Sequence, residues 1–580
     1  MLGDPSLDEP LALAEAPGED LLADAVGDVF GEELSGLKRS HFADTLPFCP
    51  HGPQPTEPTC TEASEHCQHA WSLIDCQQST CLSLATRRHG VSRAPTRHRE
   101  AATSDASKGG SRGFRFPRIV TSLPGPTSER LFAVADAVLC GPLRDHVDVP
   151  FLEARKSDWL IEDVDGNTFV DHVSSWGSTP LGGRPSARHA AAEAQERYGM
   201  EISDYILNEP VLALAQRLVE MAPPGIARAG PSISGTEAVE AGVKLAREAT
   251  GRPMILGFLG QYHGESTYLT AAASTDLSEV TSNNAQYVSG VVFAPYPNVF
   301  RAPFHKGPGP YDDTLYVDFI EEYLLVHQVD PEQVAGVLIE PVAGEGGILI
   351  PSRAFWSRLE SLCRRYGWML ILDEVQTCLG RCGTMFAAEL WDLTPDILLM
   401  GKGIAAGCQP IAAVLATEEV MAESDVHPGG TFAWTPAACA GALAGIDAIY
   451  SERALENARA LDQIAHEELD PLVDRFEQVG DVRVIGAWVG IEFVTDMSSI
   501  APAPAFHAAV HQALVRRGVL GITQWGKWVY RLQPAINMPP ELFRWSCRQV
   551  GEAIAEVAAS PPAEPGLLRR FDDGLRRRTG

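Results

Sequence analysis

Alternation of helical patterns with short apolar runs constrains the fold of this chain more than any other feature. Helical spacing of apolar residues occurs at 209–222 and 235–250, and the short apolar runs lie at 254–258, 290–294, 335–339 and 368–372. Short apolar runs that alternate with helices are typical of strands buried in a parallel sheet. The sequence therefore predicts an α/β fold with a large central, mostly parallel sheet.

Shorter strand signals lie on both sides of that sheet. Two strand-like runs flank the Asp-Gly dipeptide at 165–166, which favours a tight hairpin turn. After about residue 440, helical patterns lead to strand-like runs at 481–494 and 528–532. The domains predicted from these signals are a large one at 209–440 and a smaller α+β domain made from 116–208 and 441–560.

Residues 1–115 differ in composition from the rest of the chain. An acidic, Leu-rich start is followed by a stretch rich in Ser, Thr, Cys and His, and then by a basic stretch of small residues. Such segments bury too little apolar surface to form a core, so a low-complexity, disordered extension is predicted. A short basic tail is predicted at 561–580.

Two alternatives for the extension stay open. The order of its stretches resembles the leader and core of a ribosomally made, modified peptide, which would indicate a peptide-related role. A metal-binding cluster is the other alternative, although no Cys-x-x-Cys pair supports zinc. Its ligands would be Cys49, His51, Cys60, His66, Cys67 and His69. No metal site is predicted in the rest of the chain.

Charge and hydropathy argue against two classes of partner. The chain has 46 basic and 76 acidic residues, a net charge of −30 at pH 7, which argues against a general nucleic-acid binder. No uninterrupted apolar run is as long as a membrane span, and the first residues lack the basic start of a secretory signal. We therefore expect a cytoplasmic protein that acts on small molecules.

Two apolar runs lead into charged residues. The run at 368–372 is followed by Asp373, and the run at 397–400 is followed by Gly401 and Lys402. The separation leaves room for one helix between neighbouring parallel strands, so both side chains would open onto the carboxyl edge of the sheet, where ligands bind. An amine and an acid in one crevice suit pyridoxal phosphate. From these two residues alone, a structural ion pair is the alternative.

A third feature is a polar turn before a helix. Ser234, Gly235 and Thr236 precede the helical pattern that ends at Gly251, so free amides and hydroxyls would face an incoming anion. These residues fit the phosphate of the same cofactor, and an ordinary helix cap is the alternative.

Six motifs occur in the order found in one enzyme family. They are SGTEAVEAGVKLAR (234–247), YHG (262–264), IEPVAGEGG (339–347), LDEVQTCLGRCGTMFA (372–387), LLMGKGIAAGCQPIAAVLA (398–416) and GGTFAWTPAACAGALA (429–444). With them, the chain from about 116 to 558 resembles a class III aminotransferase of the fold type I pyridoxal-phosphate enzymes, nearest the 4-aminobutyrate, ornithine and acetylornithine group. The resemblance implies a homodimer with active sites at its interface. The implied reaction moves an amino group from an amine or amino-acid donor to a carbonyl acceptor such as a 2-oxo acid.

The resemblance assigns cofactor roles to matching positions. Lys402 would form the Schiff base and later move the substrate proton, Asp373 would pair with the pyridine nitrogen, and Gln376 would reach the ring hydroxyl. Glu374 is expected to point away into the structure. The other cofactor-binding residues implied are Ser234, Gly235 and Thr236 at the phosphate, Tyr262 stacked on the ring, the adjacent His263, and Thr431 from the partner subunit. Without the resemblance, Tyr262 would be interpreted as a core residue and Thr431 as a loop threonine.

Four further residues are predicted to face the substrate. The resemblance implies that Arg531 binds the substrate carboxylate and that Glu340 pairs with it when that site is empty, whereas a surface arginine is the alternative. Glu265 stands where related enzymes have an arginine, so inside the pocket it would favour an amine, guanidine or hydroxyl over a second carboxylate. A solvent-facing Glu265 is the alternative. Trp434 departs from the family pattern and would reshape whatever it borders.

Two other functions stay open. The same scaffold and lysine serve pyridoxal-phosphate racemases and aminomutases, which need no separate amino acceptor. A peptide-modifying aminotransferase, or a non-catalytic peptide-binding protein that uses the N-terminal segment, is the second alternative. Catalytically idle relatives are expected to lose the lysine or the aspartate, and both are present here.

Overall fold

A computed structural model describes the chain between residues 115 and 563. The ranges left out within those limits are 141–148, 184, 202–204, 268, 270–273, 275–289, 305–310 and 524–528. The predicted N-terminal extension up to residue 114, with its Cys/His cluster, lies outside the described residues. So does the predicted basic tail from residue 564 onward.

Strands and helices alternate along the described chain. The strands are β1 (Glu153–Ser157), β2 (Leu160–Asp163), β3 (Thr168–Asp171), β4 (Ile226–Ser232), β5 (Met254–Leu259), β6 (Val291–Pro295), β7 (Val334–Ile339), β8 (Met369–Asp373), β9 (Ile397–Met400), β10 (Ala412–Thr417), β11 (Val479–Val484), β12 (Val489–Phe493), β13 (Val519–Leu520) and β14 (Val529–Leu532). The α-helices are α1 (Pro126–Val138), α2 (Pro185–Tyr198), α3 (Glu209–Met221), α4 (Gly235–Thr250), α5 (Leu315–Phe319), α6 (Leu325–His327), α7 (Arg353–Tyr366), α8 (Glu418–Met421), α9 (Pro436–Ser451), α10 (Ala454–Leu469), α11 (Pro471–Arg475), α12 (Pro504–Arg516) and α13 (Pro540–Ala558). A π-helical turn at Ile320–Leu324 joins α5 to α6.

The largest sheet of the described residues has the strand order β4-β10-β9-β8-β7-β5-β6. Strands β9, β8, β7, β5 and β6 run parallel, while β10 is antiparallel to both β4 and β9. The prediction of a large, mostly parallel central sheet is confirmed.

Both faces of this sheet are buried, which explains why its strands appear as continuous apolar runs. In β8, Leu370 and Leu372 belong to the main hydrophobic core, and Ile371 between them packs into a second core with helix α4. Adjacent side chains of a strand point to opposite faces, so a strand covered on both faces needs apolar residues at every position.

The connection between β8 and β9 differs from the predicted one. The two strands are parallel neighbours, as expected, but the segment between them forms a short 3-10 turn at Ala387–Leu390 in place of a longer helix. Gly380 and Gly383 adopt φ values of 95° and 84°, outside the helical region. The buried guanidinium of Arg381 donates to the carbonyl oxygens of Ala487 and Pro534. Tertiary contacts therefore hold this connection in an irregular path.

Two smaller sheets combine distant parts of the chain. One has the order β1-β2-β3-β13, in which β2 and β3 form the predicted hairpin and β13 pairs parallel to β3. The other is antiparallel, with the order β11-β12-β14. The sheet that joins β3 to β13 suits a small domain made from both ends of the globular chain, and the exact domain bounds stay predictions.

None of the helices in the described ranges is long and apolar enough to cross a membrane.

Candidate active site

A cavity of about 130 Å³ lies where strands β7, β8 and β9 end. Its lining residues are Gly235, Thr236, Val239, Tyr262, His263, Gly264, Glu340, Asp373, Val375, Gln376 and Lys402. Most of the residues predicted for a cofactor site are thus brought together at one edge of the sheet. Among the described residues, no group of three or more His, Cys, Asp or Glu side chains is placed to hold a metal ion.

Lys402 follows β9 and has a φ of 41°. Its Nζ donates a hydrogen bond to Gln376 Oε1 at 2.9 Å. Burial lowers the pKa of the Lys402 amine, although the negative charges of Glu345 and Glu340 partly offset this effect. A lowered pKa leaves more of the amine uncharged, and the uncharged amine is the form that attacks a carbonyl carbon.

Asp373 is the last residue of β8, and its carboxylate is buried. One carboxylate oxygen accepts from the backbone amide of Val375 at 3.0 Å, and the other lies 2.7 Å from His263 Nδ1. The second ring nitrogen of His263, Nε2, is buried without a hydrogen-bond partner. Asp373 is therefore held in one orientation while it lines the cavity.

The N-terminus of helix α4 closes one side of the cavity. The side chain of Ser234 caps the helix by accepting from the amide of Glu237 at 3.2 Å, and Gly235 and Thr236 line the cavity. A Cβ at Gly235 would lie 2.9 Å from Val375, so only glycine lets this turn approach the end of β8 closely. Unpaired amides and the positive end of a helix favour an anion such as phosphate at this position.

Glu340 is engaged by the backbone around it. Its carboxylate accepts from the amides of Tyr262 and Gly344, both at 2.9 Å. Burial raises the pKa of Glu340 to about 7. The predicted pairing of Arg531 with Glu340 is wrong, because Glu340 is already committed to these two amides.

Arg531 pairs instead with Glu345, which belongs to the same motif. The Arg531 side chain is 2% exposed, and its Nη2 lies 2.8 Å from Glu345 Oε2 while its Nη1 donates to the carbonyl oxygen of Gly344. The alternative of a surface arginine is therefore excluded. In the sequence, Glu345 lies between the glycines of the IEPVAGEGG motif, and this position was the signal for it as the partner of Arg531.

Trp176 was missed by the sequence analysis. Ser174, Ser175 and Trp176 have φ values of 50°, 49° and 57°, a left-handed turn that is unusual for residues with a Cβ. The guanidinium of Arg531 lies 5.8 Å from the centre of the Trp176 ring, within the range of a cation–π contact. No spacing pattern in the sequence signals this contact.

A second pocket, of about 390 Å³, shares Gly235 and Lys402 with the first. Its wall supplies hydroxyl groups from Ser175, Ser178, Thr179 and Ser234. Lys402 therefore lines both spaces, and a substrate in the second pocket would approach the lysine across a polar surface.

Five predicted site residues lie outside the lining of the first cavity, namely Ser234, Arg531, Glu265, Trp434 and Thr431. Glu265 is half-buried beyond Gly264. Trp434 is 2% exposed, packs in the main core and donates from its indole to the carbonyl oxygen of Ala412 at 2.7 Å. The predicted substrate contact of Trp434 is therefore replaced by a core position within this chain. Thr431 is exposed, next to the exposed Phe432.

Glu374 points away from the cavity, as predicted. Its carboxylate accepts from the hydroxyl of Thr377 and from the amides of Ala387 and Ala388. Burial raises its pKa to about 7. Asp373 ends strand β8 and Glu374 follows it, and the two acids have different surroundings because adjacent residues at a strand end point in opposite directions.

Comparison with known proteins gives consistent matches. Residues 144–554 match the family model described as Aminotransferase class-III. An alanine/serine racemase from Pyrococcus horikoshii is 32% identical over 453 residues, which cover 77% of this chain and 94% of the relative. A 4-aminobutyrate aminotransferase from Mycobacterium leprae is 33% identical over 448 residues, which cover 73% of this chain and 95% of the relative. The solved structure of a pyridoxal-phosphate-bound amine transaminase from an uncultivated Pseudomonas species matches with a TM-score of 0.66 and 28% identity, covering 72% of this chain and 97% of that chain.

Proposed function

The chain belongs to the class III aminotransferases, pyridoxal-phosphate enzymes that move an amino group between a donor and a carbonyl acceptor, and we propose that it does so in the cavity beside Lys402, with a carboxylate-bearing acceptor bound to Arg531. One observation carries the proposal. The Lys402 amine and the Asp373 carboxylate share a cavity with the amide end of helix α4. Amine, acid and anion site are the three groups that this cofactor requires.

The residues around the cavity fit pyridoxal phosphate. Gly235 and Thr236 would hold its phosphate at the start of α4, where the absent Cβ of Gly235 leaves the turn close to β8. Tyr262 would lie against the ring, since an aromatic face suits a flat heterocycle. When bound, the cofactor supplies an aldehyde carbon for the lysine and a ring that draws electrons from the substrate carbon.

Each catalytic side chain has a separate task in this proposal. Lys402 Nζ would hold the cofactor through its amine and would move a proton to or from the substrate carbon. Asp373 would keep the ring nitrogen protonated, and His263 orients Asp373 through the 2.7 Å contact between their side chains. The lowered pKa of Lys402 supports its role in proton transfer, because a base must lose its proton before it can accept another.

The pair of Arg531 and Glu345 supports a site for exchangeable carboxylates. A buried guanidinium needs an anionic partner, and Glu345 supplies one when no acceptor is bound. A 2-oxo acid would replace Glu345 at Arg531, so that one acid takes the place of another and the arginine stays neutralised. Amine donors without a carboxylate would bind with the pair of Arg531 and Glu345 intact.

A homodimer is part of the proposal. Thr431 and Phe432 are exposed in the single chain, and the family resemblance has the threonine of one protomer reaching the phosphate of the other. In that arrangement each active site is complete only in the dimer. Measurement of the molar mass in solution, together with the cofactor affinity of Thr431→Ala, tests it.

The function is tested by half-reactions of the holoenzyme with single donors. Alanine, glutamate, 4-aminobutyrate, ornithine and simple diamines are mixed with the enzyme in turn, and the absorption band of the bound cofactor is followed. We expect at least one donor to convert the band and a 2-oxo acid to restore it. Holoenzyme that responds to no donor would contradict the proposal.

Racemisation is the second candidate, because one relative, 32% identical, is named an alanine/serine racemase. The two activities differ in their need for an acceptor. A racemase interconverts the enantiomers of alanine without any 2-oxo acid, whereas a transaminase turns over only when an acceptor is added. Chiral analysis of alanine with and without added 2-oxo acid separates them.

A further inference from the structure

A line of hydrogen bonds connects Lys402 to a glutamine that the sequence analysis did not single out. Lys402 Nζ donates to Gln376 Oε1 at 2.9 Å, and Gln376 Nε2 donates to Gln533 Oε1 at 3.1 Å. Gln376 is 8% exposed and Gln533 is fully buried. Two side-chain amides thus lie in series behind the reactive amine.

The direction of this line follows from the donor and acceptor inventory. In the contact between them Lys402 Nζ is the donor, so Gln376 turns its oxygen toward Lys402. The amide nitrogen of Gln376 then faces the other way and needs an acceptor, which Gln533 Oε1 supplies. A Gln376 amide turned by 180° would place a donor against Lys402 and an oxygen against the oxygen of Gln533.

Gln533 is held at this position by its own backbone. Its backbone amide donates to the carbonyl oxygen of His172 at 2.8 Å, and its backbone carbonyl oxygen accepts from the hydroxyl of Ser174 at 2.7 Å. It follows strand β14 two residues after Arg531, so both side chains point to the same side of the strand. A Cβ at Gly177 would collide with Gln533 Nε2, so the amide also lies against the backbone of the left-handed turn.

The amide of Gln533 is not explained by packing. Its Nε2 is buried without a hydrogen-bond partner, and a buried donor without a partner destabilises the fold. An apolar side chain of the same length would fill the space without that penalty. The oxygen of the same amide, in contrast, has a defined task at Gln376.

We propose that Gln533 is a positioning residue, which holds the amide of Gln376 with its oxygen toward Lys402 and so directs the lysine amine into the cavity. The proposal rests on the function proposed for Lys402. Charged groups that act on Lys402 are Glu345, Glu340, Asp373 and Arg531. The side-chain amide of Gln376 is neutral, so it orients the Lys402 amine without adding a further charge.

Two substitutions of Gln533 separate this role from packing. Gln533→Met keeps the length of the side chain and removes the acceptor, whereas Gln533→Glu keeps an acceptor and adds a negative charge. Leu532→Met is the matched control, because Leu532 lies one residue earlier on β14 and packs in the main core. All three are made in the full chain.

The first readout needs no turnover. Labelling of Lys402 by a small amine-reactive reagent is followed against pH in the cofactor-free full chain, with peptide mass spectrometry to identify the lysine. We expect the midpoint of labelling to fall in Gln533→Met, to rise in Gln533→Glu and to stay at the wild-type value in Leu532→Met.

The second readout is the kinetics of the holoenzyme. In Gln533→Met we expect kcat to fall about tenfold, equivalent to about 1.4 kcal/mol of activation free energy, while KM for the amino donor changes less than about twofold. A wild-type midpoint and kcat in Gln533→Met would overturn the proposal. If Gln533→Met does not fold, Gln533→Leu decides, because it also removes the acceptor, and a wild-type midpoint and kcat there overturn the proposal as well. Wild-type holoenzyme that converts no donor would instead contradict the proposed function, which the labelling midpoints do not depend on.

Discussion

The wall of the candidate active site and the neighbouring pair of Arg531 and Glu345 hold their charges in different ways. On the wall formed by the ends of β7, β8 and β9, Asp373 is fixed by a backbone amide and by His263. Outside that lining, Arg531 on β14 is neutralised by the side chain of Glu345 from the segment after β7. The wall therefore holds its carboxylate through a backbone amide and a histidine ring, whereas Arg531 is held in a buried ion pair between two side chains.

Under the proposed function, the wall and the Arg531 pair suit two different kinds of molecule. A resident cofactor needs a permanent charge at its ring nitrogen, and Asp373 offers one whose hydrogen bonds leave it facing the cavity. Alternating substrates need a site that is neutral when empty and neutral when a carboxylate is bound. An ion pair between Arg531 and Glu345 meets both conditions, because Glu345 and a substrate carboxylate are chemically equivalent partners of a guanidinium.

Removal of the lysine that both pockets share is expected to have the largest effect. Lys402→Ala should lower kcat by at least about a thousandfold, because covalent binding and proton transfer are lost together. The variant should still fold, since the lysine lies at the surface of two pockets and not in the hydrophobic core. Steady-state turnover with the best donor measures the effect, and normal turnover would remove Lys402 from the mechanism.

Substitution of Arg531 is expected to have the next largest effect. Arg531→Lys should raise KM for a 2-oxo acid about a hundredfold, because lysine cannot form the bidentate contact with a carboxylate. The half-reaction with an amine that has no carboxylate should change far less. Equal losses with both kinds of substrate would show that Arg531 supports the fold and not carboxylate binding.

Substitution of Glu345, the acid that pairs with Arg531, should change KM for the 2-oxo acid in the opposite direction. Glu345→Gln leaves the buried guanidinium without its counter-charge, so the free energy of unfolding should fall by about 3 kcal/mol. KM for the 2-oxo acid should fall at the same time, because no internal acid competes for Arg531. Denaturant unfolding and acceptor kinetics measure the two effects, and an unchanged stability would mean that the pair is dispensable.

A buried histidine just after strand β3 gives a prediction about the pH dependence of stability. His172 has no hydrogen-bond partner at either ring nitrogen, and burial lowers its pKa to about 4. The unfolded chain therefore binds a proton at His172 at a higher pH than the folded chain does, and the contribution to stability is lost as pH falls from about 6.5 to about 4. The expected loss is about 1.4 kcal/mol per pH unit within that window. His172→Phe should reduce the difference in unfolding free energy between pH 7 and pH 5, and an unchanged difference would argue against this assignment.

The smallest effect is expected at Glu265, which lies outside the lining of the cavity. Glu265→Gln should change KM for diamines and for 4-aminobutyrate by less than about twofold, because an acid outside the lining has little influence on bound substrate. A selective loss of diamine turnover of tenfold or more would restore Glu265 as the residue that selects cationic donors.

The sequence by itself determined the fold class and the place of the cofactor groups. Strand periodicity predicted the mostly parallel sheet, and the motifs predicted that Asp373, Gln376 and Lys402 would share a site with the start of α4. These groups occupy strand ends and the first turn of a helix, where position follows from the local pattern of residues. Their catalytic roles remain predictions that the variants above test.

Only the tertiary structure decided the substrate side of the cavity. It replaced Glu340 by Glu345 as the partner of Arg531, put Trp434 in the core, and brought Trp176 and Gln533 to the site. It also removed the helix expected between β8 and β9. These arrangements depend on loops and strands far apart in the chain. A local pattern fixes which way a side chain leaves its own strand, whereas its partner is fixed by the packing of the whole domain.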